Sequence, residues 1–200
     1  MLKNAEREER NSFKSILKDI FSTITDEINQ CKNCELFQDR KNAIAGDGVI
    51  QAPIMLIGEA PGAEEDEKGV PFIGRSGRLL MQMLADIGVS RDENLYITNT
   101  IKCRPPENRN PKSAETNACK GFLERQIIAH NPKIIILVGN FACKYFFGKA
   151  ASISKIHGTF IEEDGRILFP VYHPAALLRN PKLKPVAVED FKKLEEKIIG

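Results

Sequence analysis

The chain has 200 residues, of which 42% are hydrophobic and 28% are charged, and its formal net charge at pH 7 is +2. These values are typical of one globular domain, no apolar run is long enough to span a bilayer, and any contact with nucleic acid must come from a local basic patch. The N-terminal residues 1–9 carry both charge signs, which is not typical of a targeting segment. We therefore expect a cytoplasmic protein whose five cysteines stay reduced.

Helices and strands alternate along the predicted chain. Apolar residues at helical spacing predict an amphipathic helix over residues 10–30; they are Phe13, Ile16, Leu17, Ile20, Phe21 and Ile24. Short apolar runs predict strands at residues 53–58, 95–99, 134–138 and 166–171, the last paired with 159–161. The other predicted helices cover residues 76–87, 113–129, 140–147 and 188–199. This order predicts an α/β fold in which helices cover both faces of a parallel sheet.

The stretch after the first predicted strand is rich in glycine and proline. Gly58 ends the strand, and the small residues Ala60, Pro61 and Gly62 follow Glu59. Such a turn brings backbone groups close to a bound molecule. Phe72 lies further along the same loop, after an acidic cluster at 64–67, where open α/β sheets place their ligands. The alternative is a plain strand-to-helix connection with Phe72 filling the core.

Four of the five cysteines form two pairs. Cys31 and Cys34 are separated by two residues, and Cys103 and Cys119 by fifteen. Thiolates are the ligands that zinc and iron–sulfur clusters select, and unequal spacing suits a cluster held by two distant segments. Structural zinc more often uses two short-spaced pairs. From spacing alone a cluster, a zinc ion and separate buried thiols all stay open, whereas Cys143 is predicted to be a small buried hydrophobe.

Two further stretches carry groups suited to nucleic acid. Residues 102–110 form a basic, proline-rich loop that suits phosphate contacts, with a solvated loop as the alternative. Asn99, just before it, offers the donor and acceptor that reading a base edge requires. His173 follows the last strand, and the next helix carries Leu-Leu-Arg at 177–179. Apolar bulk beside a cation suits a wedge in a base stack, with two core leucines as the alternative.

Together these stretches resemble the iron–sulfur-containing family 4 uracil-DNA glycosylases over roughly residues 31–180. The matching motifs are the turn at 58–62, the loop at 71–74, the segment 99–109 and the segment 173–180. The resemblance implies a three-layer α/β/α sandwich with a central four-stranded parallel sheet. It also implies a [4Fe–4S] cluster on Cys31, Cys34, Cys103 and Cys119. We expect residues 1–30 to be a helical extension packed on a glycosylase domain at 31–200.

The resemblance also implies roles for single residues. Expected catalytic residues are His173, Glu59 and Glu65. Uracil would be bound by Glu59, Ala60, Pro61, Phe72, Asn99 and His173. DNA would be bound by Arg104, Asn108, Arg109, Leu177, Leu178 and Arg179. The turn departs from many members of the family in carrying Ala60 where they have glycine, and the family lacks the usual water-activating aspartate, so which carboxylate activates water stays open.

The expected activity is hydrolysis of the bond between uracil and deoxyribose in DNA, which leaves an abasic site. The target nucleotide must first leave the base stack. The expected partner is uracil-containing DNA, single- or double-stranded, bound by a monomer near the nucleoid and away from membranes. Two alternatives are a non-catalytic uracil- or DNA-binding iron–sulfur module and an iron–sulfur electron carrier, and the combination of Phe72, Asn99 and His173 favours the enzyme.

Overall fold

The computed structural model describes residues 2–200, with side chains from residue 15 onward. Six strands form one sheet: β1 (Asp47–Gly48), β2 (Ile54–Gly58), β3 (Leu95–Asn99), β4 (Ile134–Val138), β5 (Ile161–Glu163) and β6 (Arg166–Val171). The described helices are α1 (Leu2–Gln30), α2 (Ala63–Lys68), α3 (Arg75–Ala85), α4 (Ser113–His130), α5 (Gly139–Phe147), α6 (Ile153–Ile156), α7 (Pro174–Arg179) and α8 (Lys184–Ile199).

The centre of the sheet consists of four parallel strands in the order β3-β2-β4-β6. The predicted parallel core is therefore confirmed, as is a strand paired with the last one, and the short antiparallel strand at the other edge was not predicted. The short strand β1 pairs with β3, and β5 pairs with β6 across the turn at Asp164–Gly165. Strands β2, β3 and β4 are buried along their whole length, as their unbroken apolar runs predict.

Helices cover both faces of the sheet, which confirms the three-layer arrangement. On one face, Leu80 and Leu84 of α3 and Phe191 of α8 join the inward side chains of the strands. On the other face, Leu123 of α4 and Cys143 of α5 do the same, so Cys143 is buried as predicted. Alternate residues of each strand point to opposite faces, and each face is therefore closed by its own pair of helices.

The long helix α1 packs on α4 on the outside of this second layer. Its buried contacts include Ile24 and Ile28, which lie against Phe122 and Ala129. Helix α1 begins well before the predicted start at residue 10. In the predicted apolar stripe, Ile16 and Ile20 are exposed, and Phe13 lies outside the described side chains. In the described chain, no helix is both long and apolar enough to cross a membrane.

Helices α3 and α4 begin within one residue of their predicted starts, and glutamate carboxylates satisfy backbone amides at both. Glu65 in α2, a helix within the predicted loop, accepts hydrogen bonds from the amides of Ile73 and Gly74 just before α3. Helix α4 begins after Lys112, whose amide donates to the Glu115 carboxylate at 2.7 Å. Carboxylates satisfy free amides at helix N-termini as serine hydroxyls also do, and glutamates fill this role at both starts.

Candidate active site

The carboxyl ends of the parallel strands open into one cavity of about 640 Å³. The turn after β2, the end of β3, the start of α5 after β4, and the segment after β6 all contribute to its wall. The cavity is the crevice that parallel α/β sheets offer to ligands. It brings together most of the residues singled out in the sequence, among them Glu59, Ala60, Pro61, Glu65, Phe72, Asn99, Asn108, Arg109, His173 and Arg179.

Asn99 supplies a buried polar group to the cavity wall. The residue is 2% exposed, and its side-chain oxygen Oδ1 has no hydrogen-bond partner among the described residues. Buried acceptors are almost always paired in folded proteins, so this unpaired acceptor beside a cavity is available to a donor of a bound molecule. Gly58 makes this placement possible, because a Cβ there would collide with Oδ1 and with the Phe72 ring.

Phe72 presents an aromatic ring beside Asn99. It is 8% exposed and adopts a left-handed backbone with φ of 54°. Such backbone strain in a non-glycine residue concentrates at functional sites. The ring belongs to the hydrophobic core and lines the cavity at once. The core-filling and ligand-stacking interpretations of Phe72 are therefore compatible.

His173 caps α7 and lies at the opposite wall. Its Nδ1 accepts a hydrogen bond from the amide of Ala175 at 3.2 Å, which leaves Nε2 as the protonated donor of the neutral ring. Burial, assisted by the nearby charge of Arg179, lowers the pKa of His173 to about 4. The imidazole is therefore neutral at physiological pH. Gly139 (φ 85°) lets it lie close, since a Cβ there would stand 2.9 Å from His173 Cβ.

The two carboxylates of the site have different surroundings. Burial raises the pKa of Glu59 above its ordinary value. Glu65 is held by the amides of Ile73 and Gly74 at 3.0 and 2.8 Å, both on Oε1. A raised pKa at a cavity wall is typical of a group that exchanges protons, whereas two backbone bonds give Glu65 a task in fixing the loop that carries Phe72.

Of the predicted DNA-binding residues, Asn108, Arg109 and Arg179 line the cavity. Arg104 donates to Asn108 at 2.8 Å, and the guanidinium of Arg109 forms a two-pronged ion pair with the buried carboxylate of Glu115. Arg179 is exposed beside the cavity. Both pairs fix the shape of the loop. The neutral partner leaves the charge of Arg104 uncompensated, whereas Glu115 offsets the charge of Arg109.

The two leucines of the predicted wedge differ in exposure. Leu177 is 1% exposed and is therefore part of the core, while Leu178 is partly exposed. Successive residues of a helix point in directions about 100° apart, so only one of the two neighbours can face the core. A side chain that enters a base stack must be accessible, which Leu177 is not and Leu178 is in part.

The four paired cysteines line a second, smaller cavity, together with Arg40 and Lys102. Arg40 donates to the Cys103 sulfur at 3.0 Å. Burial raises the pKa of the Cys103 thiol and raises that of Cys119 to about 11, while the neighbouring cations oppose both shifts. No three His, Cys, Asp or Glu side chains of the described residues are grouped so that they could hold a single metal ion.

Several residues of the two cavities were missed in the sequence. Phe141 and Lys144, on the first turns of α5, and Tyr172 line the larger cavity, and Lys102 lies at the smaller one. Phe141 and Lys144 follow a buried strand, and this position could have been used to predict that they lie near the ligand site. Lys102 was predicted to belong to the basic loop that suits phosphate contacts, but it is 1% exposed and so cannot contact a phosphate. A lysine in such a loop is ordinarily exposed. Of the other histidines, His130 is buried, and its Nδ1 accepts from the Gln51 amide at 3.2 Å.

Comparison with known proteins agrees with this geometry. The family model described as the uracil DNA glycosylase superfamily matches residues 45–196. The type-4 uracil-DNA glycosylase of Sulfurisphaera tokodaii is 46% identical over 187 residues, which cover 89% of this chain and 84% of that protein. The corresponding protein of Saccharolobus solfataricus is 45% identical, with coverages of 89% and 86%, and that of Archaeoglobus fulgidus is 41% identical, with coverages of 86% and 90%.

The chain therefore belongs to the uracil-DNA glycosylase superfamily and, within it, to the type-4 uracil-DNA glycosylase family. The resemblance inferred from its motifs is confirmed.

Proposed function

We propose that this protein removes uracil from DNA by hydrolysing the bond between the base and the deoxyribose, leaving an abasic site. The observation that carries the proposal is the unpaired, buried Oδ1 of Asn99 beside Phe72. Uracil N3 carries a hydrogen that this acceptor would take, whereas N3 of cytosine has no hydrogen. A site built to pair a polar group rejects a mismatched base strongly.

The same wall supplies the other contacts that a flipped base requires. Phe72 would stack on the ring, and backbone groups of Glu59, Ala60 and Pro61 would meet the remaining polar edge. Leu178 would fill the space left in the duplex, and Arg104, Asn108, Arg109 and Arg179 would hold phosphates on either side. With these contacts the glycosidic bond would lie near His173 and Glu59.

Cleavage leaves the electron pair of the glycosidic bond on uracil, and water then adds to the sugar carbon and loses a proton. His173 would donate from Nε2 to the uracil carbonyl oxygen that gains negative charge, which stabilises the departing base. Glu59 would take the proton from water. Glu65 would keep the Phe72 loop in place, supported by its two backbone bonds.

The direct test uses a labelled oligonucleotide with one deoxyuridine, incubated with the protein and then treated with alkali. We expect scission at the uracil after alkali, no scission without alkali, and none with a thymine control. Binding of the uracil oligonucleotide without scission would instead support the non-catalytic binding module.

Replacement of Glu59 by glutamine tests its role as base. We expect the single-turnover rate to fall about a hundredfold, the scale of a lost general base. In the unchanged protein, the rate should rise with pH through the raised pKa of Glu59, because the carboxylate is the active form. Glu64→Gln, on the exposed side of α2, is the matched control. A nearly unchanged rate in Glu59→Gln would exclude Glu59 as the base.

We further propose that Cys31, Cys34, Cys103 and Cys119 hold a [4Fe–4S] cluster. The support is the chemistry of the donor set, since four thiols surround one cavity and two cations face it. Thiolates are the ligands of such clusters, and the cations offset their negative charge. When bound, the cluster would join the segment after α1 to the loop before α4, and hydrolysis requires no electrons from it.

Replacement of Cys103 by alanine should abolish the cluster and lower the thermal unfolding temperature, because the basic loop loses its link to Cys31 and Cys34. Iron and sulfide content, visible absorbance and a melting curve provide the measurements. The control is Cys143→Ala, since this thiol is buried outside the cavity. Equal iron content in the two variants would contradict the assignment.

A further inference from the structure

Lys102 lies beside the thiol cavity, and the function proposed so far gives it only a positive charge that offsets the thiolates. It is 1% exposed and is among the largest fully buried side chains of the protein. It lines the thiol cavity, and it follows Asn99 by three residues. A lysine is almost never buried so completely unless its charge is paired or hydrogen-bonded, so its surroundings require an explanation.

The ammonium group of Lys102 donates three hydrogen bonds. Its acceptors are the Asn99 backbone carbonyl, the Thr98 hydroxyl and the Gln126 side-chain oxygen, each at 2.7 Å. An ammonium has three donors, so all of its hydrogens are used within the protein. Two of the three acceptors belong to the last two residues of β3, and the side chain therefore folds back under the end of that strand.

The same strand end is bound from the other side by the turn after β2. The amides of Thr100 and Ile101 donate to the carbonyls of Gly58 and Glu59. The Thr100 hydroxyl donates to the Glu59 carbonyl as well. The peptide that follows Asn99 is thereby held between the first motif and Lys102. Any shift of this peptide changes the direction in which the Asn99 side chain points.

Few contacts other than those of its backbone orient the Asn99 side chain. No described residue is within hydrogen-bond reach of its Oδ1, so the backbone and the contacts with Gly58 and Phe72 decide where the amide lies. We propose that Lys102 is a positioning residue for base recognition, which holds the Asn99 carbonyl so that the side-chain amide meets uracil in a fixed orientation. This inference rests on the proposed function of Asn99.

The test is a double-mutant cycle between Lys102→Met and Asn99→Ala. Methionine keeps the length of the side chain and removes the ammonium. We expect Lys102→Met to lower the single-turnover rate on the deoxyuridine oligonucleotide about 30-fold, the scale of a small misplacement of a reacting group. If Lys102 acts through Asn99, the double variant should match Asn99→Ala within about twofold, because the two effects are coupled. Additive losses would overturn the proposal.

A matched control and two further measurements separate positioning from stability. Lys120, like Lys102, is next to one of the four paired cysteines, but its side chain is exposed. Lys120→Met should therefore retain the full rate. Visible absorbance and the melting temperature show whether Lys102→Met keeps its cluster and its fold. Affinity for the oligonucleotide should change less than about threefold, since the phosphate contacts are untouched.

If Lys102→Met does not fold, Thr98→Val serves in its place. Valine keeps the shape of threonine and removes one acceptor of the ammonium. A rate loss of about fivefold is expected, on the scale of one hydrogen bond, and it should vanish in the Asn99→Ala background. A loss that persists there would refute the positioning role. If the protein without any substitution showed no glycosylase activity, the proposed function itself would be refuted.

Discussion

Replacement of His173 by alanine should slow the excision of uracil about a hundredfold under single-turnover conditions, the cost of removing one preorganised donor from a developing negative charge. The neutral ring has its Nδ1 occupied by the Ala175 amide, so Nε2 is the group that donates. Affinity for the uracil oligonucleotide should change little, because the phosphate contacts come from other residues. Rate constants and binding isotherms measure the two effects separately.

His173→Gln provides the matched variant for this prediction. Glutamine retains an N–H donor at a similar distance from the backbone, and we expect it to recover part of the lost rate. Because the pKa of His173 is about 4, the ring stays neutral above that value, and the ratio of the rates of the unchanged protein and His173→Ala should not change with pH there. Protonation adds a hydrogen to Nδ1, which then can no longer accept the hydrogen bond from the Ala175 amide. Equal rates for His173→Ala and the unchanged protein would remove His173 from the mechanism.

Replacement of Asn99 by alanine should lower the rate on uracil about a hundredfold or more, because the base loses its polar partner in a buried site. Single-turnover kinetics on deoxyuridine and deoxycytidine oligonucleotides measure both rate and selectivity. The fold should be retained, since Oδ1 makes no hydrogen bond to any described residue. The ratio of the two rates should move toward one as recognition is lost.

Asn99→Asp separates recognition from packing. Aspartate has nearly the same size as asparagine, but its carboxylate has no donor for the uracil carbonyl. If Asn99 reads the base edge, this variant should be about as slow on uracil as Asn99→Ala. Full activity in Asn99→Asp would show that the residue contributes only its volume.

The central fold could be predicted because it depends on local patterns. The apolar runs at 54–58, 95–99 and 134–138 are buried on both faces of the sheet, and this pattern was visible in the sequence. The edge strand β1 was not predicted. It has only two residues, Asp47 and Gly48, and it exists because β3 offers free backbone groups beside it. Pairing with a distant strand leaves no local pattern.

The site was predictable where a residue type or motif identified the chemistry. Asn99, Phe72 and His173 follow strands or lie in the loop after one, and parallel topology brings such positions to one edge. Leu177 and Leu178 show the limit of this reasoning. Both have the same chemistry and adjacent positions, and only the packing of α7 decides that Leu177 faces the core.

The sequence by itself determined the class of fold, the family and the groups available for chemistry, because periodicity and motif spacing are local properties. Only the tertiary structure decided how those groups are paired. It buried the ammonium of Lys102 under Asn99, joined Arg109 to Glu115 and engaged Glu65 with two amides. These partners are near one another in the chain, but their burial and geometry depend on distant segments that pack around them, such as Gln126 of α4, which accepts a hydrogen bond from Lys102. That information is absent from any single stretch of the chain.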